Sequence, residues 1–533
     1  MVPVGEGSDE VEPDQRAISS VISRRSLIAG ATGAGVLLLT GCTYPQPDPP
    51  NTSRPPAGEP DWDALRSQVT GSLLLPADDA FATAKLTENP RFDQAEPLAI
   101  LQVATAADVS AALSFARKYQ LPVALRAGGH NYVGWSAGGA AGSGVPASFV
   151  ISTAALDAVQ LSADGSSVTV GAGASLAQVY DTVGAAGRAI AGGSCATVGV
   201  TGLTLGGGVG VLVRSFGLAC DQLTQVQLVT ADGAVHTADA SRDEDLFWAS
   251  RGGGGGVLGV VTSLTFTTRA APSVTQWHYS YSFEDAAAVV TSWQSWTASA
   301  DPRIWSTLKL LGGLAKHPSG PSVGISGTWT GPADQLSAQL APLLSGLPAP
   351  TDHSSVTRSY RDSMMDYAGC LGTPIAQCTT GAGGVLVRES SSGSSSMGYV
   401  ALDAAGIADL LAQVQVAQDV AGIREGGISM DALGGVVADL APDATAFPHR
   451  SALYSVQYTG TFDDGTDPGP IDAYVRGFRA TMTPHWGDHA YVNYPDASLT
   501  DPDAAYFGDN LPRLRNIKKK YDPTGFFTQP QSY

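Results

Sequence analysis

Between Gly192 and Gly210 the chain reads GGSCATVGVTGLTLGGGVG, a stretch so rich in glycine that main chain is nearly all it can present to a neighbour. Glycine admits positive φ and close backbone approach, so the run reads either as a set of tight turns or as a cradle of N–H groups for a large, flat or phosphorylated ligand. One cysteine, Cys195, stands just inside it. A chain of 533 residues with 63 glycines and 33 prolines has room for several domain-sized units joined by many turns. With 43% hydrophobic and 15% charged residues it describes a globular protein with a sizeable core. The formal charge of −19 sets nucleic acid aside as a partner, because that binding depends on lysines and arginines meeting phosphates.

Residues 23–42 read SRRSLIAGATGAGVLLLTGC: Arg24 and Arg25, an apolar run shorter than the roughly 20 residues of a spanning helix, then Cys42. The segment resembles a twin-arginine export signal ending in a lipobox. That implies cleavage before Cys42 and a lipid on its sulfur, leaving the protein on the outer face of a bacterial cytoplasmic membrane or secreted. An ordinary secretory signal with a chance cysteine is the other reading. Residues 43–60 are proline-rich and polar and suit an extended tether. The expected organisation is a signal over 1–42, a linker over 43–60, a first domain over 61–270, a second over 271–484, and a segment 485–533 that returns to the first.

Within the first domain, Leu98, Ile100 and Leu101 read as a short strand, and Val109, Ala112, Leu113 and Phe115 recur at helical spacing. Residues 121–125 and 148–151 read as strands, and 159–161 with 168–170 as a hairpin about Asp164-Gly165. Gly171-Ala-Gly173-x-x-Leu176 lacks the third glycine of a dinucleotide fingerprint, which argues against a Rossmann fold. After Ala271, Trp277-His-Tyr279-Ser-Tyr281 alternates like a strand, and residues 286–296 read as a helix whose Trp293 and Trp296, three apart, either stack on sugar faces or, as such pairs more often do, pack in a core. Ser390–Ser396, SSSGSSS, reads as a flexible loop. Cys370 and Cys378, eight apart in an exported chain, read as a disulfide.

Arg126-Ala-Gly128-Gly129-His130-Asn131, with Gly134 after it, must be read together with Cys195-x-x-Val198-Gly199-Val-x-Gly202 and Gly206-Gly207-Gly208-x-Gly210. This pair of motifs resembles the berberine-bridge-enzyme-like FAD-linked oxidases. The resemblance implies an α+β architecture: an FAD-binding domain of the PCMH, or vanillyl-alcohol-oxidase, type and a substrate domain with an antiparallel sheet and helices. It implies FAD attached twice, by an 8α bond to His130 and a 6-S bond to Cys195. A nucleophilic imidazole nitrogen can add to the flavin's 8-methylene once that methyl has lost a proton, and a thiolate can add at ring carbon 6. The residues just named are then cofactor-binding, together with Gly256, Gly259, Val261 and Asn493, while Asp221 and residues 245–262 fall where the family builds its pocket. Val198 is implied to line the place where oxygen reacts. With Cys42 lipidated and Cys195 on the flavin, Cys220 is left as a buried free thiol.

The resemblance also orders the catalytic candidates. Gln457 stands where some relatives carry a catalytic glutamate, and a carboxamide cannot act as a base. The role is therefore expected at Tyr494, with Tyr458 beside it and Tyr491 in the same motif. A phenol starts from a pKa near 10 and has to be shifted downward to work near neutrality. His485 and His489 form HxxxH without a third ligand, so no metal is expected. The implied activity is oxidation of an alcohol on a carbohydrate or glycosylated small molecule, with hydride to flavin N5 and O2 reduced to H2O2. The membrane enters only through the lipid anchor. Alternatives are a flavin dehydrogenase, an oxidative cyclase of a secondary metabolite, or a surface-anchored binding lipoprotein without turnover, which the missing carboxylate at Gln457 would suit.

Overall fold

A computed structural model describes residues 58–533; the segment expected to be an export signal, and Cys42, lie outside them. The short apolar runs become β1 (Ser72–Leu74), β2 (Ala99–Gln102), β3 (Val123–Arg126) and β4 (Phe149–Ser152), ordered β1-β2-β4-β3 with the last three parallel. Parallel strands need a long crossover, and the helix Ala106–Tyr119 supplies it between β2 and β3. Thr105 and Asp108 start that helix as a capping box, and its periodic Val109, Ala112 and Leu113 are buried. The Asp108 carboxylate also accepts from the backbone N–H of Thr70, Gly71 and Ala104 at 2.9, 3.0 and 2.8 Å, tying the start of the domain to the helix.

The next strands are β5 (Val159–Leu161), β6 (Ser167–Gly171), β7 (Arg188–Ala189), β8 (Leu223–Val229), β9 (Val235–Asp239), β10 (Val260–Thr267) and β11 (Arg269–Ala270). Five of them form an antiparallel sheet ordered β5-β6-β10-β8-β9, and β7 pairs with β11. The β5–β6 hairpin turns at Asp164-Gly165, where Gly165 has φ +68°.

A seven-stranded antiparallel sheet follows, from β12 (Ser273–Tyr281), β13 (Ile304–Gly312), β14 (Ser322–Trp329), β15 (Asp352–Ser359), β16 (Ser390–Gly398), β17 (Ile423–Ala432) and β18 (Tyr454–Phe462), in the order β15-β12-β14-β13-β17-β18-β16. Side chains alternate between its faces. Leu308, Leu310, Ile325, Ile428, Met430, Val456 and Tyr458 pack in one core with Trp293, Leu410 and Phe478, borne on the helices Ala286–Thr297, Ala404–Val416 and Gly469–Trp486. Burying each such side chain stabilises by about 1.5–3 kcal/mol. The intervening residues Thr307, Lys309, Ser326, Ser429, Asp431 and Gln457 line a cavity on the opposite face.

The serine run corrects the expectation of a flexible loop: residues 390–398 are β16, paired with β18 along their length and largely buried. Serine is a weak strand former, so composition points to a loop, but here tertiary partners occupy the hydroxyls. Ser394 donates to Asp496 at 2.6 Å, and Ser395 Oγ accepts from the Tyr491 N–H at 3.0 Å. Cys370 and Cys378 are joined, Cα–Cα 5.7 Å, and Cys220 is a buried free thiol. Beyond the helix Gly469–Trp486 the chain returns to the first sheets, where Lys518 Nζ donates to Val257 O at 2.7 Å.

Candidate active site

Gly128 and Gly199 bring the two cofactor motifs together. A Cβ on Gly128 would lie 2.2 Å from Gly199 N, and one on Gly199 would lie 2.4 Å from Gly128 N, so the turn after β3 and the turn before the helix Val200–Leu205 meet backbone to backbone. Only glycine allows that approach. The glycine stretch closes on itself in the same way, since a Cβ on Gly210 would sit 1.7 Å from Gly192 O.

These turns form one wall of a cavity of about 440 Å³. Arg126, Gly128, Gly129, His130, Asn131, Cys195, Val198, Gly199, Gly202, Gly210, Gly256, Gly259 and Val261 line it, with Asn493, Tyr494 and Gln457. Asn131 also shapes its own loop, its Oδ1 accepting from Val133 N at 3.2 Å and Trp135 N at 3.1 Å. His130 Nε2 is 2.9 Å from Thr197 Oγ1, and burial pushes the imidazole down to about 4, so it is neutral at ordinary pH. Cys195 opens onto the cavity, yet protein packed around its sulfur, and then the charge of Glu88, hold the thiol above its usual range. Arg126 Nη1 donates to Lys85 O and Leu86 O at 3.0 and 3.3 Å, while its buried Nη2 has no partner among the described residues.

Where the cavity meets the large sheet, Tyr132 and Tyr494 stack with ring centroids 5.3 Å apart and planes 6° from parallel. Gln457 Nε2 donates to the Tyr132 hydroxyl. Asp431, on β17, is half-buried at the cavity wall, and desolvation there raises its carboxyl above the usual range against the opposing pull of Thr307 and Lys309. Its charge is felt by both Tyr132 and Tyr494.

Several expected site residues stand elsewhere. Tyr458 lies on the helix-covered face of β18, donating to Ser396 Oγ at 3.1 Å and packing on Phe478 at 5.1 Å; strand alternation sends its neighbour Gln457, and not Tyr458, to the cavity. Tyr491 lies behind the cavity wall, where its oxygen accepts from Gly208 N at 2.8 Å and Val209 N at 3.2 Å. Gly206, Gly207 and Gly208 also lie outside the lining: their missing Cβ atoms make room for Asn493, for Phe447 with Tyr491, and for Ala219. Gly134 is packed against the Phe92 ring. Asp221 binds Arg450 at 2.7 Å, a buried ion pair rather than a cavity contact. The expected downward shift of a tyrosine is reversed, because burial, first of all, raises both Tyr494 and Tyr491, the latter to about 12. His485 pairs with Asp409 at 2.9 Å, and His489 packs on Tyr399.

Residues that motif reading passed over include Glu88, Thr197, Tyr132, Lys309 and Asp431. The last two carry a faint signal, polar residues at alternate positions of apolar strands (Thr307 and Lys309, Ser429 and Asp431). Tyr132 sits two residues after His130 with nothing local to mark it.

A family model described as an FAD binding domain matches residues 97–239, and one described as berberine and berberine like matches residues 490–532. The FAD-linked oxidoreductase YvdP of Bacillus subtilis is 30% identical over 474 residues, which are 87% of this chain and 98% of that protein. The chain belongs to the berberine-bridge-enzyme-like FAD-linked oxidoreductases. This oxidoreductase is also 29% identical over 461 residues to the xylooligosaccharide oxidase of Thermothelomyces thermophilus, covering 82% of the chain and 87% of that enzyme. Its fold matches the solved structure of Physcomitrella patens BBE-like 1 with a TM-score of 0.79 at 27% identity, over 88% of this chain and 98% of the other. The cofactor is FAD, and the cavity of this oxidoreductase suits it. Gly129, Gly254 and Gly256 hold positive φ and leave bare backbone at the wall, as a flat ring and a pyrophosphate require, and the idle Nη2 of Arg126 is a buried cation awaiting a polar partner.

Proposed function

We propose that this oxidoreductase is an oxidase of an alcohol carbon on a carbohydrate or glycosylated small molecule, with O2 as electron acceptor. The observation that carries the reading is the polar face of the large sheet, where Thr307, Lys309, Ser326, Ser429, Asp431 and Gln457 line the same cavity as His130 and Cys195. A ligand with many hydroxyls can satisfy such a row, whereas an apolar one would cover these groups without pairing them, at a cost of about 1–3 kcal/mol for each group so desolvated. Similarity to the xylooligosaccharide oxidase supports the same substrate class.

In this reading His130 and Cys195 hold the flavin covalently, at the 8α carbon and ring carbon 6. Bound FAD supplies hydride acceptance at N5 and return of the electron pair to O2, giving H2O2. Tyr494 takes the proton of the substrate hydroxyl. Its own affinity for protons is raised, so it works by passing a proton on, and Asp431 is the nearby carboxylate with a raised affinity to receive it. Tyr132, held by Gln457, keeps the Tyr494 ring in place. Val198 leaves room for oxygen beside the ring. Export by the twin-arginine route, with a lipid on Cys42, is part of the same proposal and suits a cofactor installed before transport.

Two measurements test it. Acid-denatured protein should stay yellow, and colourless polypeptide would overturn covalent attachment. Mixed anaerobically with mono- and oligosaccharides, the holoenzyme should bleach with at least one, then recolour rapidly in air with formation of peroxide. Flavin that stays oxidised with every sugar would overturn the substrate class.

A further inference from the structure

Glu88 belongs to neither cofactor motif, yet the fold carries its carboxylate to His130. Oε2 lies 3.7 Å from His130 Nε2 and accepts from Thr197 Oγ1 at 3.4 Å, the same hydroxyl that is 2.9 Å from Nε2. The segment is clamped there: Glu88 N donates to Gly129 O at 3.3 Å, Arg126 holds the carbonyls of Lys85 and Leu86, and Arg388 Nε donates to Thr87 O at 2.8 Å. The groups facing the carboxylate are His130, Thr197 and Cys195 on the cofactor turns, with Thr380 at 3.5 Å and Arg388 from the segment after the disulfide, Arg388 being itself paired to Asp93. With Nε2 engaged, Nδ1 is the imidazole nitrogen without a partner among the described residues.

We propose that Glu88 is a positioning residue for covalent flavin attachment: acting with Thr197, its carboxylate keeps the His130 proton on Nε2 and the lone pair on Nδ1, and accepts that proton once Nδ1 has bonded to the flavin 8α carbon. The proposal rests on the reading of His130 as an attachment point. In the net step one C–H bond at 8α and the N–H bond of His130 break and one C–N bond forms. The electron pair left on the flavin passes with two protons to O2 as H2O2, so the attached flavin ends oxidised. Burial, ahead of the opposing Thr197 bond and Arg388 charge, raises the proton affinity of Glu88, and a neutral imidazole is the nucleophilic form.

The test uses the full chain in a Cys195→Ala background, where flavin that survives acid precipitation reports the His130 bond alone. Total flavin before precipitation reports folding and non-covalent binding. Glu88→Gln should bind flavin at the background ratio but attach it at least about tenfold more slowly when FAD is added to flavin-free protein. The background attachment rate should fall as pH drops and Glu88 takes up a proton, and Glu88→Gln should lack this acid limb. Thr197→Val, which keeps the carboxylate but cuts the relay, should also slow attachment, and it decides the matter should Glu88→Gln not bind flavin. Attachment at the background rate, or an unchanged acid limb, in Glu88→Gln would overturn the role of Glu88. Complete release of flavin by the Cys195→Ala protein itself would instead overturn the His130 attachment on which the proposal stands.

Discussion

Tyr132 and Tyr494 lie face to face, 5.3 Å apart and 6° from parallel, and join the turn that carries His130 to the returning C-terminal segment. The stack leaves Tyr494 little freedom beside the cavity, as the proposed role in accepting a proton requires. Tyr494→Phe keeps the stacking surface and removes the hydroxyl. Anaerobic bleaching by substrate should then slow by about 10²–10⁴-fold with flavin content unchanged, which stopped-flow absorbance measures. An unaltered bleaching rate would place proton removal elsewhere.

Asp431 should trade stability against activity. Its carboxyl is raised by burial, so the folded protein binds that proton more tightly than the unfolded chain. Its contribution favours folding when protonated and is lost as pH rises through the raised value. Asp431→Asn mimics the protonated form: its Tm at pH 7.5 should exceed that of the parent, while bleaching slows. The parent's bleaching rate should also decline on the acid side, as Asp431 becomes protonated, and the variant should lose that dependence.

His449 makes the fold acid-sensitive. It is 2% exposed, bonded to Tyr399 Oη at 2.8 Å and to Tyr506 O at 3.1 Å, and burial followed by the neighbouring His489 pushes it down to about 3. The unfolded imidazole takes a proton near 6.5, so stability is present above that pH and is lost as pH falls from there toward about 3. Each pH unit inside the window costs about 1.4 kcal/mol. Urea midpoints at pH 7 and 5 should differ accordingly, and His449→Gln should flatten the difference while lowering the pH 7 value.

Gly128→Ala should separate the two cofactor turns. Its Cβ would meet Gly199 N at 2.2 Å, a backbone contact that no side-chain rotation relieves. The flavin-to-protein absorbance ratio should fall severalfold, whereas Gly477→Ala, exposed on the helix Gly469–Trp486 and with open space around its Cβ, should leave it unchanged.

Asp108→Ala should destabilise without touching the cavity. It removes the acceptor shared by the N–H groups of Thr70, Gly71 and Ala104, each bond contributing about 0.5–1.5 kcal/mol. Thermal unfolding should shift down by several degrees with the bleaching rate intact.

By itself the sequence determined the elements whose signals are local: the capped helix after Thr105, the hairpin at Asp164-Gly165, the alternating strand at Trp277, and the His130 and Cys195 motifs that point to the family. Tertiary structure alone decided which way the alternation faces. Gln457 and Tyr458 are adjacent and equally plausible by motif, yet one lines the cavity and the other a core, because the helices cover only one side of β18. The serine run became a strand, and Glu88 came to His130, through partners distant in sequence. Periodicity records only neighbours along the chain, whereas a buried carboxylate or hydroxyl takes its role from whatever the fold brings against it, and that is settled only when the backbones meet, as they do at Gly128 and Gly199.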